Sequence, residues 1–260
     1  MNEKKRPLIL ITNDDGVFAK GINTLIEIAL SFGDVVVFAP DVVRSGMSNA
    51  ITVHNPVMYS KLFSEEGLTV YSCTGTPTDC VKLANYVLFQ ERKPDLLLSG
   101  INHGSNASVN VIYSGTMGAA LEGCANLIPS IGFSLWDHSW DADFEPARAY
   151  VKSIIGLLLK NSLPNEVCLN VNIPQGTIKG AKICRQALGH WQEEFEPRQD
   201  KNEITGYWLT GKFINHEPNA EDTDDWALAN GYISIVPTSV DLSNKECVES
   251  IKNWEGVINN

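Results

Sequence analysis

Two adjacent carboxylates, Asp14 and Asp15, directly follow a short apolar segment near the start of the chain. Carboxylates this close together repel each other and lose solvation at the end of a strand, unless a proton or a cation compensates. A hard divalent cation with oxygen ligands is the economical explanation. The alternative is a solvated turn that caps the next helix, and the pair alone does not choose between the two.

Two later loops carry further groups that could take part in such chemistry. Arg44 and Ser45 follow the second predicted strand, where the guanidinium could hold a phosphate through two parallel hydrogen bonds or could belong to an ordinary surface loop. Asn102, in the third loop, can offer an amide oxygen to a cation. His103 beside it is a candidate acid or base, although a single histidine in a loop is commonly incidental.

A predicted helix N-terminus completes this set of polar groups. Ser114, Gly115 and Thr116 open that helix, so their hydroxyls and free backbone N–H groups offer a site for an anion. Together with the carboxylate pair, they suit a metal ion that bridges to a phosphate, with water as the attacking group. The phosphate loop of ATP-hydrolysing enzymes, the glycine fingerprint of dinucleotide-binding folds and the serine elbow of α/β-hydrolases are all missing.

Charge and composition narrow the classes of partner. The 260 residues contain 20 Lys and Arg against 31 Asp and Glu, a formal net charge of −11, which argues against binding long nucleic acids. No apolar stretch approaches the ~18 residues of a membrane span, and the N-terminus lacks the apolar region of a signal peptide. The six cysteines form no C-x-x-C pair and the five histidines show no zinc-ligand spacing, so we expect reduced core cysteines and a cytoplasmic protein.

The first two-thirds of the chain alternate strand-like and helix-like segments, which must position these groups. Short apolar runs predict buried parallel strands, at residues 8–12, 35–39, 95–99, 130–134 and 168–173. Apolar residues at helical spacing predict helices, at residues 22–30 with Gly33 at its end, from Pro77 behind Thr76 as cap, at 115–126 and at 147–158. This alternation predicts an α/β fold with a doubly wound, mostly parallel, Rossmann-like sheet.

Two parts of the chain depart from that alternation. Between residues 51 and 72, three β-branched and aromatic pieces at 51–53, 57–59 and 68–71 predict an antiparallel excursion. After Pro174 the sequence predicts a β-rich appendage with strands at 180–185, 207–209 and 232–236, an acidic loop at 217–225 and a helical end at 243–254. We therefore expect a core of residues 1–174 and a C-terminal segment of residues 175–260.

Several polar and glycine-rich blocks stand in a fixed order along the chain. They are Leu10-Ile11-Thr12-Asn13-Asp14-Asp15-Gly16, Ala39-Pro40-Asp41 with Arg44-Ser45-Gly46-x-Ser48, Gly75-Thr76-Pro77-Thr78-Asp79-Cys80-Val81, Ser99-Gly100-Ile101-Asn102-x-Gly104-x-Asn106, Tyr113-Ser114-Gly115-Thr116 before Glu122-Gly123, Leu169-Asn170-Val171-Asn172-Ile173-Pro174 and Gly231-Tyr232-Ile233-Ser234-Ile235. In this order and spacing, the series resembles the SurE family, the survival-protein nucleotidases, over nearly the whole chain.

The resemblance implies an enzyme that hydrolyses nucleoside 5′- and 3′-monophosphates, and in some members short polyphosphate, with one divalent cation per subunit, Mg²⁺ or Mn²⁺. The family's metal ligands correspond here to Asp14, Asp15, Ser45 and Asn102, and its phosphate-side residues to Asn106, Ser114, Gly115 and Thr116. The resemblance also implies a homodimer or tetramer whose C-terminal segments reach a neighbouring subunit. Position 103 lies outside the family pattern, which weakens His103 as a catalyst.

Two other classes of protein place acidic residues after a first strand. A phospho-receiver module needs a phosphate-accepting aspartate after a later strand, and residues 51–71 contain none. A phosphatase that forms a phosphoaspartate expects Asp-x-Asp, whereas this chain has Asn13-Asp14-Asp15. The favoured hypothesis is hydrolysis of a phosphate monoester by a metal-activated water that Asp14 or Asp15 orients or deprotonates, at the carboxyl edge of the sheet.

Overall fold

The computed structural model describes residues 6–199 and 205–259 as an α/β protein built on one nine-stranded sheet. The strands are β1 (Leu8–Thr12), β2 (Asp34–Pro40), β3 (Tyr59–Glu65), β4 (Leu68–Cys73), β5 (Leu96–His103), β6 (Ser130–Leu135), β7 (Val167–Ile173), β8 (Ala181–Ile183), β9 (Gly189–Gln192), β10 (Phe195–Gln199), β11 (Thr205–Leu209), β12 (Lys212–Asn215) and β13 (Ile233–Ser239). The α-helices are α1 (Lys20–Ala29), α2 (Pro77–Val87), α3 (Gly115–Ala125), α4 (Arg148–Leu158), α5 (Asp224–Ala229), α6 (Lys245–Ile251) and α7 (Glu255–Ile258).

The order of the strands confirms the doubly wound sheet. Across the sheet they run β3-β4-β2-β1-β5-β6-β7-β13-β8, and the six from β4 to β7 are parallel. The chain moves outward from β1 through β2 to β4, then crosses back to β5 and moves outward in the opposite direction. The order therefore reverses between β1 and β5, and in such sheets a ligand crevice opens there, beyond the carboxyl ends of the strands.

Apolar residues cover both faces of the sheet. Along β1, Ile9 and Ile11 pack in the cluster that includes α1 and α4, whereas Leu10 packs in the cluster that includes α2 and α3. This alternation follows from the period of two in a strand, and a strand covered on both faces reads as a continuous apolar run. The apolar runs of the sequence thus predicted these strands correctly.

The ends of two helices show which turn signals were read correctly. Thr76 accepts a hydrogen bond from the backbone N–H of Asp79, whose carboxylate accepts one from Thr76 in return, so α2 begins at the predicted cap. Gly33 is not the cap of α1, which ends at Ala29. A Cβ at Gly33 would stand 2.1 Å from the carbonyl oxygen of Pro7, so this glycine permits close contact with the chain entering β1.

The predicted antiparallel excursion is only partly correct. Strands β3 and β4 pair antiparallel, but β4 also pairs parallel with β2 and so continues the main sheet. Residues 51–58 form no strand, because this apolar segment lies largely on the surface rather than in a ladder. Ile51, Val53 and Met58 are all exposed. The prediction mistook the β-branched residues of a surface segment for a strand of the antiparallel excursion.

The C-terminal segment extends the sheet and adds two ribbons. Strand β13 pairs antiparallel with β7, and β8 pairs parallel with β13. We call the pair β9 and β12 the inner ribbon and the pair β10 and β11 the outer ribbon. The predicted acidic loop is in part a helix, since Thr223 caps α5. The division at residue 174 stays a prediction, and within the described ranges no helix is long and apolar enough to cross a membrane.

Candidate active site

The two adjacent carboxylates lie buried at the end of β1, at the point where the strand order reverses. Asp14 Oδ1 accepts a hydrogen bond of 2.6 Å from the hydroxyl of Thr116, which is the second residue of α3. Asp15 Oδ2 accepts one of 3.1 Å from the backbone N–H of His103 at the end of β5. The pair therefore joins the loop after β1 to the two elements that flank the crevice.

Burial gives both carboxyls an unfavourable negative charge. Burial, and to a smaller extent the charge of Asp15, raise the pKa of Asp14 to about 7, although the hydrogen bond from Thr116 opposes the shift. Burial also raises the pKa of Asp15, although the hydrogen bond from the backbone N–H of His103 opposes that shift. Among the described residues no lysine or arginine forms a salt bridge with either carboxylate. The pair thus lacks the positive charge that two buried carboxylates require.

Strand β5 continues past the predicted residues 95–99 to His103, so its end, and not a loop, brings two polar side chains beside the pair. Asn102 donates from Nδ2 to the carbonyl of Gly104 at 2.7 Å, which fixes the amide and leaves its oxygen end for another partner. His103 donates from Nδ1 to the carbonyl of Ser139 at 2.8 Å, while its buried Nε2 has no hydrogen-bond partner. The histidine ring also packs edge-on against Phe144. These contacts explain how the His103 ring is held in place, but they do not give it a role as an acid or a base.

A buried amide network holds Asn106. Its backbone N–H donates to Asn172 Oδ1 at 2.7 Å, its carbonyl accepts from Asn170 Nδ2 at 2.9 Å and its own Nδ2 donates to Ser134 Oγ at 2.7 Å. Asn172 also donates to Asn170 at 2.9 Å. The three bonds to Asn106 join β6 and β7 to the loop after β5, and the bond within β7 orients two of the partners, so Asn106 is held rigidly at the crevice.

The N-terminus of α3 lies against Asp14. Ser114 caps the helix, since its hydroxyl accepts from the backbone N–H of Met117 at 3.0 Å. A Cβ at Gly115 would stand 3.0 Å from the Cβ of Asp14 and 3.1 Å from its Oδ2. Glycine therefore allows the helix N-terminus, with its positive end, to come this close to the carboxylate.

The loop after β2 forms another side of the site. Ser48 donates from its backbone N–H to Tyr113 and from its hydroxyl to the carbonyl of Ile112, which ties the loop to the start of α3. Ser45 is exposed at the crevice. The backbone N–H of Arg44 donates to the carbonyl of Asp14 at 2.7 Å, but its guanidinium donates to the carbonyl of Thr74 at 2.8 Å.

These elements enclose a cavity of about 740 Å³. Five of the nine predicted site residues line it, namely Asp14, Ser45, Asn102, Asn106 and Ser114. The others lie around it: Asp15 and Thr116 are buried behind the wall, Gly115 allows the helix to approach, and Arg44 is absent from the lining. The structure thus brings together predicted groups from four separated stretches of sequence, and the phosphate-binding role given to Arg44 stays a prediction.

The sequence did not indicate the far wall of the cavity. Trp191 and Phe213 of the inner ribbon line it, and the indole of Trp191 donates to Asn110 Oδ1 at 2.8 Å. Asp224 at the start of α5 joins this segment to the core, since it accepts from the backbone N–H groups of Ser108 and Ala187 at 2.8 Å each. The network that holds Asn106 had one signal in the sequence: the two asparagines, at 170 and 172, within a predicted buried strand.

An α/β protein with buried carboxylates and a helix N-terminus at the reversal of its sheet is a candidate binder of phosphate and divalent cations. Comparison with known proteins gives the family: the model of the survival protein SurE matches residues 9–193. This chain belongs to the SurE family.

Relatives and a solved structure extend the match to the full chain. The proteins named 5′-nucleotidase SurE from Bacteroides fragilis and Flavobacterium johnsoniae are each 53% identical to this chain, over 97% and 96% of it and over 99% and 98% of their own lengths. The crystal structure of a SurE protein from Aquifex aeolicus is 38% identical and superimposes with a TM-score of 0.82, covering 96% of this chain and all of that one. The segment after residue 174 is therefore part of the shared fold.

Proposed function

We propose that this protein is a metal-dependent nucleotidase that hydrolyses nucleoside 5′-monophosphates, and also 3′-monophosphates, to nucleoside and phosphate. The observation that carries the proposal is the buried pair Asp14 and Asp15, which meets a helix N-terminus beside a cavity that Asp14 lines. The name of the relatives, 5′-nucleotidase, supports the same reaction.

The donor atoms fit one Mg²⁺ or Mn²⁺ ion per subunit. Asp14, Asp15, Ser45 and Asn102 would hold it through carboxylate, hydroxyl and amide oxygens, the ligands that these hard cations prefer. The raised pKa of Asp14 supports this assignment, because a cation would compensate the charge that burial makes unfavourable. When bound, such an ion neutralises phosphate oxygens and lowers the pKa of a coordinated water.

The residues around the pair would bind and orient the phosphate. Backbone N–H groups at the start of α3, beside Gly115 and Thr116, favour the negative charge of phosphoryl oxygens, and Asn106 is held at the same cavity. Asp14 or Asp15 would orient the attacking water or accept its proton. Water is the nucleophile in this proposal, so no phosphorylated side chain forms.

The shape of the cavity supports a nucleoside as the leaving group. A phosphate fills only a small part of about 740 Å³, and the remaining wall contains the aromatic side chains of Tyr113, Trp136, Trp191 and Phe213. Flat apolar side chains of this kind stack on nucleobases without strong preference among them. Short polyphosphate, which has no base, would occupy the polar end only and would be a minor substrate.

The C-terminal segment supports an assembly of copies. Helices α6 and α7 contain no buried residue, and the apolar side chains of Trp254, Val257 and Ile258 are exposed. Exposed apolar side chains that lie together on a surface mark an interaction site. We therefore propose a homodimer or tetramer that this segment joins, acting in the cytoplasm on free nucleotides rather than on long nucleic acid.

Phosphate release from AMP tests the proposal. Purified protein should release phosphate from AMP and 3′-AMP with Mg²⁺ or Mn²⁺, lose that activity in EDTA and regain it when the ion is restored. Ribose 5-phosphate should be a poorer substrate, since it lacks the base. If protein supplied with either metal releases no phosphate from any nucleoside monophosphate, the proposed function is wrong.

A further inference from the structure

Two histidines on the inner ribbon lie outside the site described above. His190 in β9 and His216, which directly follows β12, face each other with His190 Nδ1 and His216 Nε2 2.6 Å apart. Both side chains are exposed. Because a hydrogen bond between two ring nitrogens needs one protonated and one bare nitrogen, the pair shares a single hydrogen between them.

The pairing of the ribbon explains why residues 26 positions apart meet. His190 lies opposite Ile214 in the antiparallel ladder, and the backbone N–H of His216 continues the ladder by donating to the carbonyl of Leu188 at 2.9 Å. Alternate residues of a strand point to the same face, so His216 lies on the face of Ile214 and His190. Trp191, the next residue of β9, points to the other face and lines the cavity.

We propose that His190 Nδ1 and His216 Nε2 bind one transition-metal ion of the Zn²⁺, Ni²⁺ or Cu²⁺ class. Neutral imidazole nitrogens suit these ions, whereas the carboxylate and amide oxygens around Asp14 suit Mg²⁺ and Mn²⁺. The two sites therefore select different cations. Among the described residues no cluster of three or more His, Cys, Asp or Glu side chains could hold a metal, so water completes the coordination of the ion at the pair.

A third side chain contacts the ring nitrogen of His190 that faces away from His216. The amide nitrogen of Gln192 lies 2.9 Å from His190 Nε2. When the ion replaces the shared hydrogen, that hydrogen moves to the ring nitrogen facing away from the ion, where the amide oxygen of Gln192 can accept it after the amide turns over. Partners of this kind orient metal-binding histidines. No net proton is released, because both rings stay neutral.

An ion at this position would fasten the end of the inner ribbon that lies away from the outer ribbon. The outer ribbon emerges between Gln192 and Lys212, and the two histidines stand on the strands that bracket it. The ion would join those strands by two coordinate bonds on the face opposite Trp191. It would therefore stiffen the cavity wall without contacting the carboxylate pair.

Zinc titration of the purified full chain, in excess Mg²⁺ and followed by calorimetry, tests the proposal. We expect one Zn²⁺ per chain, and we expect His190→Asn and His216→Asn each to weaken binding at least about tenfold, or about 1.4 kcal/mol. His54→Asn, which removes an exposed histidine elsewhere, is the matched control and should bind as the unaltered protein does. Melting curves in EDTA check that the variants are folded.

Two further arms separate this site from the proposed active site. Asp14→Asn should bind Zn²⁺ unchanged even if the protein proves to have no nucleotidase activity. Bound Cu²⁺ should show hyperfine coupling to two imidazole nitrogens in its paramagnetic resonance spectrum, and His190→Asn should lose it. If His190→Asn and His216→Asn bind zinc as tightly as His54→Asn does, the site does not exist.

Discussion

The parallel strands of the core and the last helices of the segment after residue 174 differ in how far they bury their side chains. Strand β6 is buried along its whole length, and the polar residues at the strand ends of the core are hydrogen-bonded to one another. Helices α6 and α7 bury nothing, and Trp208 and Leu209 of the outer ribbon are exposed. The core thus buries its polar strand ends within one copy of the chain, whereas helices α6 and α7 and the outer ribbon present apolar surface that a single copy leaves uncovered.

The two regions contribute different parts of the candidate site. The carboxylate pair and the helix N-terminus belong to the core, where packing fixes their positions. Trp191 and Phe213 belong to the C-terminal segment, and they line the same cavity as Asp14 and Ser114. The site therefore needs both regions, and substitutions in each should have different consequences.

Removing one carboxylate should have the largest effect. Asp14→Asn or Asp15→Asn should lower kcat for AMP by about 10²–10⁴-fold, because each removes a carboxylate that we propose orients the water and holds the cation. Steady-state phosphate release measures the change. Asp41→Asn, an exposed carboxylate on the neighbouring loop, is the matched control. Activity of Asp14→Asn within a few-fold of the unaltered protein would contradict the assignment.

Equivalent truncations in the two regions should differ in their effect on stability. Ile155 in α4 is fully buried, so Ile155→Ala should lower the free energy of unfolding by about 2–5 kcal/mol. Ile251 in α6 is 39% exposed, so Ile251→Ala should change it by less than about 0.5 kcal/mol in dilute protein. Urea unfolding compares the two. A growing effect of Ile251→Ala at higher protein concentration would identify α6 as part of the proposed assembly.

Adding one methyl group beside the carboxylate pair tests how closely the helix must approach. Gly115→Ala should reduce kcat by about 10–100-fold, since the new Cβ would press on the Cβ of Asp14 and displace its carboxylate. Gly156→Ala, in the helix α4 where an added Cβ meets only Phe32 at 3.4 Å, is a matched control. Equal activities of the two variants would show that the contact at Gly115 does not matter for the reaction.

The C-terminal segment should act on substrate binding rather than on the chemical step. Trp191→Ala should raise KM for AMP by about tenfold, since stacking on a base contributes about 1–3 kcal/mol, and should leave the kinetics with ribose 5-phosphate unchanged. Trp254→Ala removes an exposed tryptophan outside the cavity and should affect neither substrate. An equal loss with both substrates would mean that Trp191 supports the fold of the wall instead.

The same contrast explains how much could be predicted from the sequence. Apolar runs predicted the parallel strands, and polar residues directly after those runs predicted Asp14, Asp15 and Asn102, because parallel strands end at one edge. The far wall could not be predicted, since Trp191 reaches the cavity only through a ribbon whose partner strand lies 20 residues later. The strand predicted at residues 51–53 was wrong, because apolar composition alone does not distinguish a surface segment from a strand.

The central claim is that the buried pair is the site of a divalent cation. The folded protein raises the pKa of Asp14 from 3.8 to about 7, so the ionised carboxylate is disfavoured by folding. The penalty is absent below about pH 4, grows between pH 4 and 7 and reaches at most about 4 kcal/mol above that range. In EDTA at pH 8, Asp14→Asn should therefore melt at a higher temperature than the unaltered protein.

The most direct test is a set of four melting curves at pH 8, for the unaltered protein and Asp14→Asn, each in EDTA and in Mn²⁺. The account predicts that Mn²⁺ raises the melting temperature of the unaltered protein and has little effect on Asp14→Asn, which starts higher in EDTA. An equal Mn²⁺ shift in both proteins, or a lower melting temperature of Asp14→Asn in EDTA, would contradict it.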